Sequence, residues 1–252
     1  MTTLYLFIVM KNAPYYLSKH AFFCLADNHY VFLDLRSDEY LCLGRTHTNA
    51  IKGLLDGQQV VDNHLTNSQL QETRNSNSSV VIQALLKKGI FVQDEAYGKV
   101  PARPSVDAPA ASLIEAFDKT RSRIDTAHIW HFFAAAATAS RELRWGCIER
   151  TVRRVEARKL YRATDAAAVD SSLLANQLDT FQTLRPYYPR PYLCLFDSLA
   201  LLHFLARIGV FPQWVFGVKL EPFAAHCWVQ AGEIVVNDIV DNVRDYTPIM
   251  SV

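Results

Sequence analysis

The stretch CLFDSLALLHFLARI (residues 194–208) decides the fold of the C-terminal half of this chain. It is apolar on nearly every face, which is typical of a central buried helix. Three apolar runs follow it and predict the strands of a sheet behind that helix: Gln213–Lys219, His226–Gln230 and Glu233–Asp238. A buried helix laid on a sheet is therefore the expected centre of this half.

Cys194 falls in the first turn of the predicted helix, where free backbone N–H groups and the helix dipole favour a thiolate. A sheet behind the helix would bring His226 and Asp238 to the same helix end. His226 could share a proton with the thiol, and Asp238 could hold the imidazole in the required tautomer. A lone cysteine in an apolar helix more often serves packing, so the prediction of a nucleophile depends on these two partners.

Two neighbouring residues are poorer candidates for the site. His203 lies nine residues along the same helix, roughly 13 Å from Cys194 by helical rise, and is too distant to contact it. Cys227 points to the opposite face of its strand from His226, so it is predicted to be a core residue rather than a second nucleophile.

The carboxylate is the least defined part of the predicted site. Asp241 and Asp245 are rivals to Asp238 for the orienting role. Asp238 is preferred because it lies directly at the end of a predicted strand. On residue types alone, this combination of cysteine, histidine and aspartate is only moderately specific.

The composition fits a globular protein without a strong charge. The 252 residues are 50% hydrophobic and 12% aromatic, which suffices for a core in one or two domains. A net charge of +1 gives no field that would attract nucleic acid or a membrane surface. The apolar run Leu4–Met10 is too short to span a bilayer. We therefore expect a cytoplasmic protein with neither nucleic acid nor membrane as a partner.

The cysteines and histidines do not predict a metal site. The five cysteines are scattered, odd in number and without a CxxC pair, which argues against a disulfide framework and a structural zinc site. His128 and His131 are three residues apart but have no further ligand nearby, so they are predicted to pack rather than to bind a metal. No metal and no organic cofactor is expected.

The N-terminal part reads as a small α+β unit. Strand-like runs joined by short turns, one of them Asp27-Asn28, predict a meander: Ala21–Ala26, Tyr30–Leu35 and Glu39–Leu43. Helical patterns and a short final strand follow: Asn49–Leu55, a segment from Thr66 or Asn67 to Thr73, Val80–Lys88, and Ile90–Val92. Three strands followed by three helices are the outline of a winged-helix-like module.

Prolines among small residues mark residues 96–111 as a linker. It separates an N-terminal domain, residues 1–95, from a C-terminal domain, residues 112–252. The C-terminal domain begins with helical patterns before its buried helix: Ala127–Leu143, Cys147–Leu160 and Asp170–Leu184. The fold class is thus α+β with two domains.

Three motifs of the C-terminal half resemble a known family: C-L-x-x-S-L-A-L at 194–201, G-V-x-x-x-P-F at 217–223 and A-H-x-W-V at 225–229. They resemble the leader peptidase of lasso-peptide biosynthesis, a transglutaminase-like (papain-like) cysteine protease, over roughly residues 110–252. The spacings of 32 residues from Cys194 to His226 and 12 from His226 to Asp238 match that family. The resemblance implies that these three residues form its catalytic triad.

The N-terminal unit looks like the leader-recognition element of the same pathways, a winged-helix-like domain similar to the pyrroloquinoline-quinone chaperone. The motif D-L-x-S-D-x-Y-x-x-L (34–43) and the element order carry this likeness. The resemblance implies that the leader adds as a strand beside Glu39, Tyr40, Leu41, Cys42 and Leu43, with its apolar side chains against Val81 and Leu85. The alternative is a DNA-binding winged helix, which the few basic residues of the last helix, Lys87 and Lys88, disfavour.

The function implied by the resemblance is removal of the leader of a ribosomally made lasso-peptide precursor at the leader–core junction, where threonine is next to last in the leader. The partners would be that precursor peptide and an asparagine-synthetase-like lasso cyclase. The chain has no phosphate-binding glycine-rich loop, so ATP, if required, would be bound by the cyclase. The oxyanion donors would include the Cys194 N–H, with Gln177 or Gln182 as side-chain candidates. An acyltransferase or transglutaminase with the same triad, and a non-catalytic leader-binding scaffold, are the alternatives.

Overall fold

The computed structural model describes residues 15–55, 76–115, 124–162 and 171–252. The chain divides into two compact units, Met1–Arg103 and Pro104–Val252. The predicted helical segment at 66–73 and the stretch Met1–Ala13 lie outside the described residues. None of the helices in the described parts is long and apolar enough to cross a membrane.

In its described residues, the N-terminal unit combines two small sheets with two helices. Its elements are β1 Tyr16–Ser18, β2 Ala21–Ala26, β3 His29–Asp34, β4 Glu39–Cys42, α1 Arg45–Leu55, α2 Ser76–Lys87, β5 Phe91–Val92, a 3-10 turn Glu95–Tyr97 and β6 Gly98–Lys99. In the described residues, β2, β3 and β4 form an antiparallel meander, and β1 lies between β5 and β6. The predicted meander is thus confirmed to within one residue at each strand.

The turn between β2 and β3 shows why the meander can be recognised from sequence. Asp27 and Asn28 have positive φ angles of 46° and 61°, which these two residue types tolerate better than most. The pairing on either side is continuous, with Ala26 opposite His29. The alternating side chains of the meander then face α1 and α2, where the core of the unit is built from residues such as Phe23, Phe32 and Leu85.

The C-terminal unit contains the predicted buried helix and its sheet. Its elements are β7 Ala111–Ser112, α3 Thr126–Trp145, α4 Ile148–Arg162, α5 Ser171–Leu184, a 3-10 turn Arg185–Tyr187, α6 Cys194–Ala206, β8 Gln213–Leu220, β9 Phe223–Ala231, β10 Ile234–Val235, α7 Val240–Val243 and β11 Thr247–Ser251. The strand order of the sheet is β11-β8-β9-β10-β7. This is a mixed arrangement of helices and sheet.

Helix α6 is buried along most of its length because α3 covers one side and β9 the other. Side chains on every face, among them Phe196, Leu199 and Leu205, are at most a few per cent exposed. The helix ends before Gly209, whose φ of 80° suits glycine. Burial on all sides fixes the position of both helix ends relative to the sheet.

Two sequence predictions differ from the structure in detail. The predicted linker at 96–111 has paired backbone at its ends, since β6 pairs with β1 and β7 pairs with β10. Proline and small residues indicate a segment without regular local structure, but they do not show whether its ends pair with strands that are distant in the sequence. The strand predicted at Glu233–Asp238 covers only Ile234–Val235, followed by one more backbone hydrogen bond of 2.8 Å from the Val236 N–H to the Val229 carbonyl. The polar residues after it, Asn237 and Asp238, form the side-chain hydrogen bonds described below.

Candidate active site

Cys194 is the first residue of α6, and the chain enters the helix through Leu193 in an extended conformation. The Asp197 carboxylate accepts a hydrogen bond of 2.8 Å from the Leu193 N–H, which fixes the entry to the helix. The Cys194 side chain is half-buried, and the first N–H groups of a helix have no partner within it. Cys194 therefore lies at a partly accessible end that favours negative charge.

The loop before Cys194 is organised by one buried arginine. Arg185 is 3% exposed and forms an ion pair with Asp197. It also donates hydrogen bonds to the backbone carbonyls of Tyr188 at 3.3 Å, Arg190 at 3.1 Å and Pro191 at 2.9 Å. These contacts tie the loop to the first turn of α6. These contacts could not be predicted from the sequence, because the pattern of apolar and polar residues does not show that the Arg185 side chain is buried.

His226 and Asp238 are joined by a hydrogen bond of 2.6 Å between Nε2 and Oδ2. The other carboxylate oxygen accepts from the Ile239 N–H at 2.8 Å and from the Asn242 side chain at 3.0 Å. Burial alone would raise the pKa of Asp238, but these hydrogen bonds outweigh it and lower the pKa below its usual value. Asp238 is therefore an anion held in one orientation.

The imidazole of His226 is also held by aromatic neighbours. Its ring lies 6.0 Å from the Trp228 ring and 5.3 Å from the Tyr246 ring, measured between centroids. Gly217 pairs with His226 on the adjacent strand, and a Cβ there would approach both aromatic side chains to 2.9 Å. Glycine at this position thus permits the packing that confines the imidazole.

Cys194 lies next to both residues of the His226-Cys227 pair, and these neighbours govern its ionisation. The Cys227 thiol, the His226 imidazole and the Cys227 backbone N–H stabilise the thiolate and lower the pKa of Cys194 to about 4, against the opposing effect of burial. Burial lowers the pKa of His226, but its bonds to Asp238 and Cys194 outweigh this and raise the pKa to about 9. At neutral pH the pair is thus a thiolate and an imidazolium.

Cys227 is 3% exposed, as predicted for a core residue. Its contact with Cys194 was not predicted, because strand alternation gives the direction of a side chain and not the element packed against it. The pKa of Cys227 is raised well above its usual value by its hydrogen bond to the Cys194 thiolate and by burial. Cys227 therefore remains a thiol and acts as a donor.

Ser198 and Asn237 form a polar bridge between α6 and the sheet that the sequence did not predict. Ser198, one turn after Cys194, donates to the Cys227 carbonyl at 3.3 Å and accepts from the Asn237 side chain at 3.0 Å. The Asn237 Oδ1 atom accepts from the Val229 N–H at 2.7 Å. The bridge holds the helix bearing the cysteine against the strand bearing the histidine.

The rival carboxylates lie elsewhere. Asp241 is exposed and pairs with Arg244 at 2.8 Å, and Asp245 is exposed as well. Of the three candidate aspartates, the structure brings Asp238 to His226.

The remaining candidates named in the sequence analysis do not reach Cys194. His128 accepts and donates in the capping box of α3 with Asp125. On α5, Gln177 is half-buried and Gln182 exposed, and no described contact joins either one to Cys194. Within the part of the chain that the structure describes, no group of three or more His, Cys, Asp or Glu side chains is arranged to hold a metal ion.

The residues predicted to bind a peptide belong to the N-terminal unit. Glu39–Cys42 is β4, an edge strand of its sheet in the described residues, and Leu43 follows it. Val81 and Leu85 are 6% and 1% exposed and belong to the core of the unit. Half-buried apolar side chains next to them, Ile82 and Leu86, offer more surface.

Comparison with known proteins concerns the C-terminal unit. Residues 133–251 match the family model described as the transglutaminase-like superfamily. Searches of curated proteins and of solved structures found no match. The matched range includes Cys194, His226 and Asp238, and members of the superfamily are usually cysteine-type enzymes with peptidase or acyltransferase activity. Residues 133–251 of this chain therefore form a transglutaminase-like superfamily domain.

Proposed function

We propose that this chain is a cysteine peptidase that removes the leader from a ribosomally made lasso-peptide precursor, with Cys194, His226 and Asp238 as its catalytic triad. The observation that carries the proposal is the hydrogen bond of 2.6 Å between His226 and Asp238, beside Cys194 at the start of α6. The same neighbours lower the pKa of Cys194 and favour its thiolate. The motifs around these residues, which resemble the lasso leader peptidases, supply the substrate class.

In the acylation step, the Cys194 thiolate attacks the carbonyl carbon at the leader–core junction. The Cys194 N–H, at the start of α6, donates to the developing oxyanion. His226 then gives its proton to the amine of the departing core, and the C–N bond breaks. The leader remains on Cys194 as a thioester.

In the deacylation step, neutral His226 takes a proton from water, which attacks the thioester and releases the leader as a carboxylic acid. Asp238 bonds to Nε2, so Nδ1 is the ring nitrogen available to Cys194, to the leaving amine and to the water. The Asp238 carboxylate stabilises the imidazolium in each half of the cycle. The step returns Cys194 to the thiolate.

The N-terminal unit is proposed to hold the leader while the C-terminal unit cleaves. Strand β4 is an edge strand, and an extended peptide can add to such an edge through backbone hydrogen bonds. Four half-buried apolar side chains near this edge pack against one core: Leu41 in the strand, Leu43 directly after it, and Ile82 and Leu86 on α2. They are the proposed contacts for apolar leader side chains, together with Val81 and Leu85 beneath them.

The released core is proposed to pass to an asparagine-synthetase-like lasso cyclase, which would use ATP to close the macrolactam ring. This partner follows from the resemblance alone. The hydrolysis of a thioester at Cys194 needs no ATP, because water attack on the thioester completes the cycle.

The test of the peptidase function uses the full chain and a lasso precursor peptide with threonine next to last in the leader. We expect mass spectrometry to show a free leader acid and a free core amine, and no release by Cys194→Ala. Cys147→Ala is the matched control, because this cysteine lies outside the site, and it should release leader at the wild-type rate. Full release by Cys194→Ala would instead establish a scaffold and refute the mechanism.

An acyltransferase remains the second candidate, because the superfamily includes that activity and a thioester can be resolved by an amine. Adding a primary amine to the reaction separates the two. A peptidase gives the free leader acid in the absence of amine, whereas a transferase gives leader–amine adduct and requires the acceptor.

Leader recognition is tested with Cys194→Ala, so that a fluorescein-labelled leader is bound but not cleaved. Leu43→Ala should weaken binding about tenfold in fluorescence polarisation, since it removes an apolar contact beside the edge strand. Lys88→Ala should leave the affinity unchanged. Loss of binding with Lys88→Ala only, or no binding by the parent, would contradict the peptide-strand proposal.

A further inference from the structure

A cavity of about 460 Å³ lies at the end of α6 that is remote from Cys194. Its polar wall consists of His131 from α3, Arg158 from α4, and His203 and Arg207 from α6. No step of the proposed proteolysis uses these side chains. A cavity of this volume is within the range of small-molecule sites.

Arg158 is held at the cavity wall by a chain of hydrogen bonds through two buried residues, His203 and Glu142. Glu142 and His203 are buried, with 7% and 5% exposure, and the His203 Nε2 lies 2.9 Å from the Glu142 carboxylate. Arg158 donates a hydrogen bond of 2.6 Å to His203 Nδ1. Since Nδ1 accepts, the proton of a neutral ring lies on Nε2 and is donated to Glu142. This chain of bonds fixes the Arg158 guanidinium at the wall.

The charge of the cavity wall is positive. Arg158 and Arg207 contribute two guanidinium groups, and no carboxylate is among the described residues that line the cavity. Glu142 lies behind His203 and is also within 3.5 Å of Arg154, so its charge is compensated. Arg207 is exposed, so it can reorient towards a ligand. Guanidinium groups are the side chains best suited to phosphate recognition.

The rest of the wall is apolar or weakly polar. Ala135 on α3 and Ala206 on α6 supply small apolar surfaces, and Thr138 adds a hydroxyl that already donates to the Ala134 carbonyl at 2.7 Å. An inorganic phosphate alone would leave most of the cavity unfilled. The size and the alanines favour a phosphate group attached to a compact apolar body.

We propose that this cavity binds a small phosphate monoester, with the phosphate between Arg158 and Arg207 and the organic part against Ala135 and Ala206. The proposal is independent of proteolysis, because it concerns the other end of α6 and different side chains.

The test is isothermal titration calorimetry of the full chain with phenyl phosphate and, in a separate titration, with inorganic phosphate. We expect saturable binding of one phenyl phosphate, at least tenfold tighter than inorganic phosphate. Arg207→Gln should weaken phenyl phosphate binding about tenfold or more, because it removes one charge-assisted contact. This variant changes an exposed side chain and keeps the buried bonds of His203.

The matched control is Arg153→Gln, which changes an exposed arginine of α4 that pairs with Glu149 at 2.6 Å and does not line the cavity. The affinity of Arg153→Gln for phenyl phosphate should stay within twofold of the parent's affinity. Arg158→Gln is a second cavity variant, for which a melting curve accompanies the titration. Absence of saturable binding, equal affinities of Arg207→Gln and Arg153→Gln, or equal affinities for the two ligands would overturn the proposal.

Discussion

His226 lies beside the first residue of α6, and His203 belongs to α6 itself. Each of these two histidines is bonded to a carboxylate. His226 meets Asp238 at 2.6 Å, and His203 meets Glu142 at 2.9 Å. The two pairs differ at the second ring nitrogen. In His226 it is available to the Cys194 thiolate, whereas in His203 it accepts a hydrogen bond from Arg158.

This difference teaches that a histidine–carboxylate pair is not by itself a catalytic feature. A ring whose second nitrogen accepts a hydrogen bond from an arginine has no nitrogen left to serve as a base for a thiol. A ring whose free nitrogen faces a thiolate is held protonated and can deliver that proton to a leaving group. The two side chains also differ in exposure: that of His226 is 21% exposed and accessible to a substrate, whereas that of His203 is only 4% exposed.

The largest expected effect is that of His226→Ala. It removes both the acid and the base, so precursor cleavage should fall by about three orders of magnitude or more. Circular dichroism and the melting temperature should remain near those of the parent, because this side chain is only partly buried. A variant that keeps more than a tenth of the parent's kcat/KM would contradict the role of His226.

Asp238→Asn is expected to reduce kcat/KM by about two to four orders of magnitude, because an amide no longer fixes the tautomer or stabilises the imidazolium. Asp241→Asn is its matched control and should change the rate less than twofold, because Asp241 is exposed and pairs with Arg244 rather than with His226. Steady-state kinetics on the same precursor separates the two. The reverse ranking would show that the wrong aspartate has been assigned.

His203→Ala should act on stability and not on chemistry. It leaves Glu142 and Arg158 without their shared partner, and breaking a buried polar pair of this kind costs about 3–5 kcal/mol. Urea unfolding would therefore shift to a clearly lower midpoint, while cleavage per folded molecule stays within a few-fold of the parent. A loss of activity as large as that of His226→Ala would erase the distinction between the two histidines.

A smaller effect is expected at Cys227. With Cys194 ionising near pH 4 and His226 near pH 9, the activity should be bell-shaped: it rises as the thiolate forms and falls as the imidazolium deprotonates. Cys227→Ala removes a donor to the thiolate, so the pKa of Cys194 rises and the acidic limb moves up by about one unit. Cys227→Ser keeps a donor and should leave the limb in place. A limb unchanged by Cys227→Ala would show that this thiol does not stabilise the thiolate.

The sequence predicted the elements that local patterns encode. Helix α6 was predicted from an apolar run with a glycine stop, and the meander of the N-terminal unit from alternating strands with an Asp-Asn turn. The convergence of Cys194, His226 and Asp238 could be anticipated, because a sheet packed behind the helix that begins with Cys194 would bring the other two residues to that helix end. These features need only residue spacing.

The parts that escaped prediction depend on contacts between distant residues. Arg185 looks like a helix-terminating surface residue, yet it is buried and binds the loop before Cys194. Ser198 and Asn237 look unremarkable, yet they join α6 to the sheet. His203 could be excluded by distance, but its bonds to two other helices could not be foreseen.

The most direct test of the account is the ionisation of Cys194. The rate of alkylation by iodoacetamide is measured from pH 3 to 10 in the parent and in His226→Ala, with mass spectrometry of the Cys194 peptide, because the chain has five cysteines. We expect Cys194 of the parent to react as a thiolate down to about pH 4. As the pH is lowered, Cys194 of His226→Ala should stop reacting at a higher pH than that of the parent, because the pKa of its thiol is higher. A parent whose alkylation rate rises only near pH 9, the usual value for a cysteine, would contradict the thiolate–imidazolium pair on which the mechanism depends.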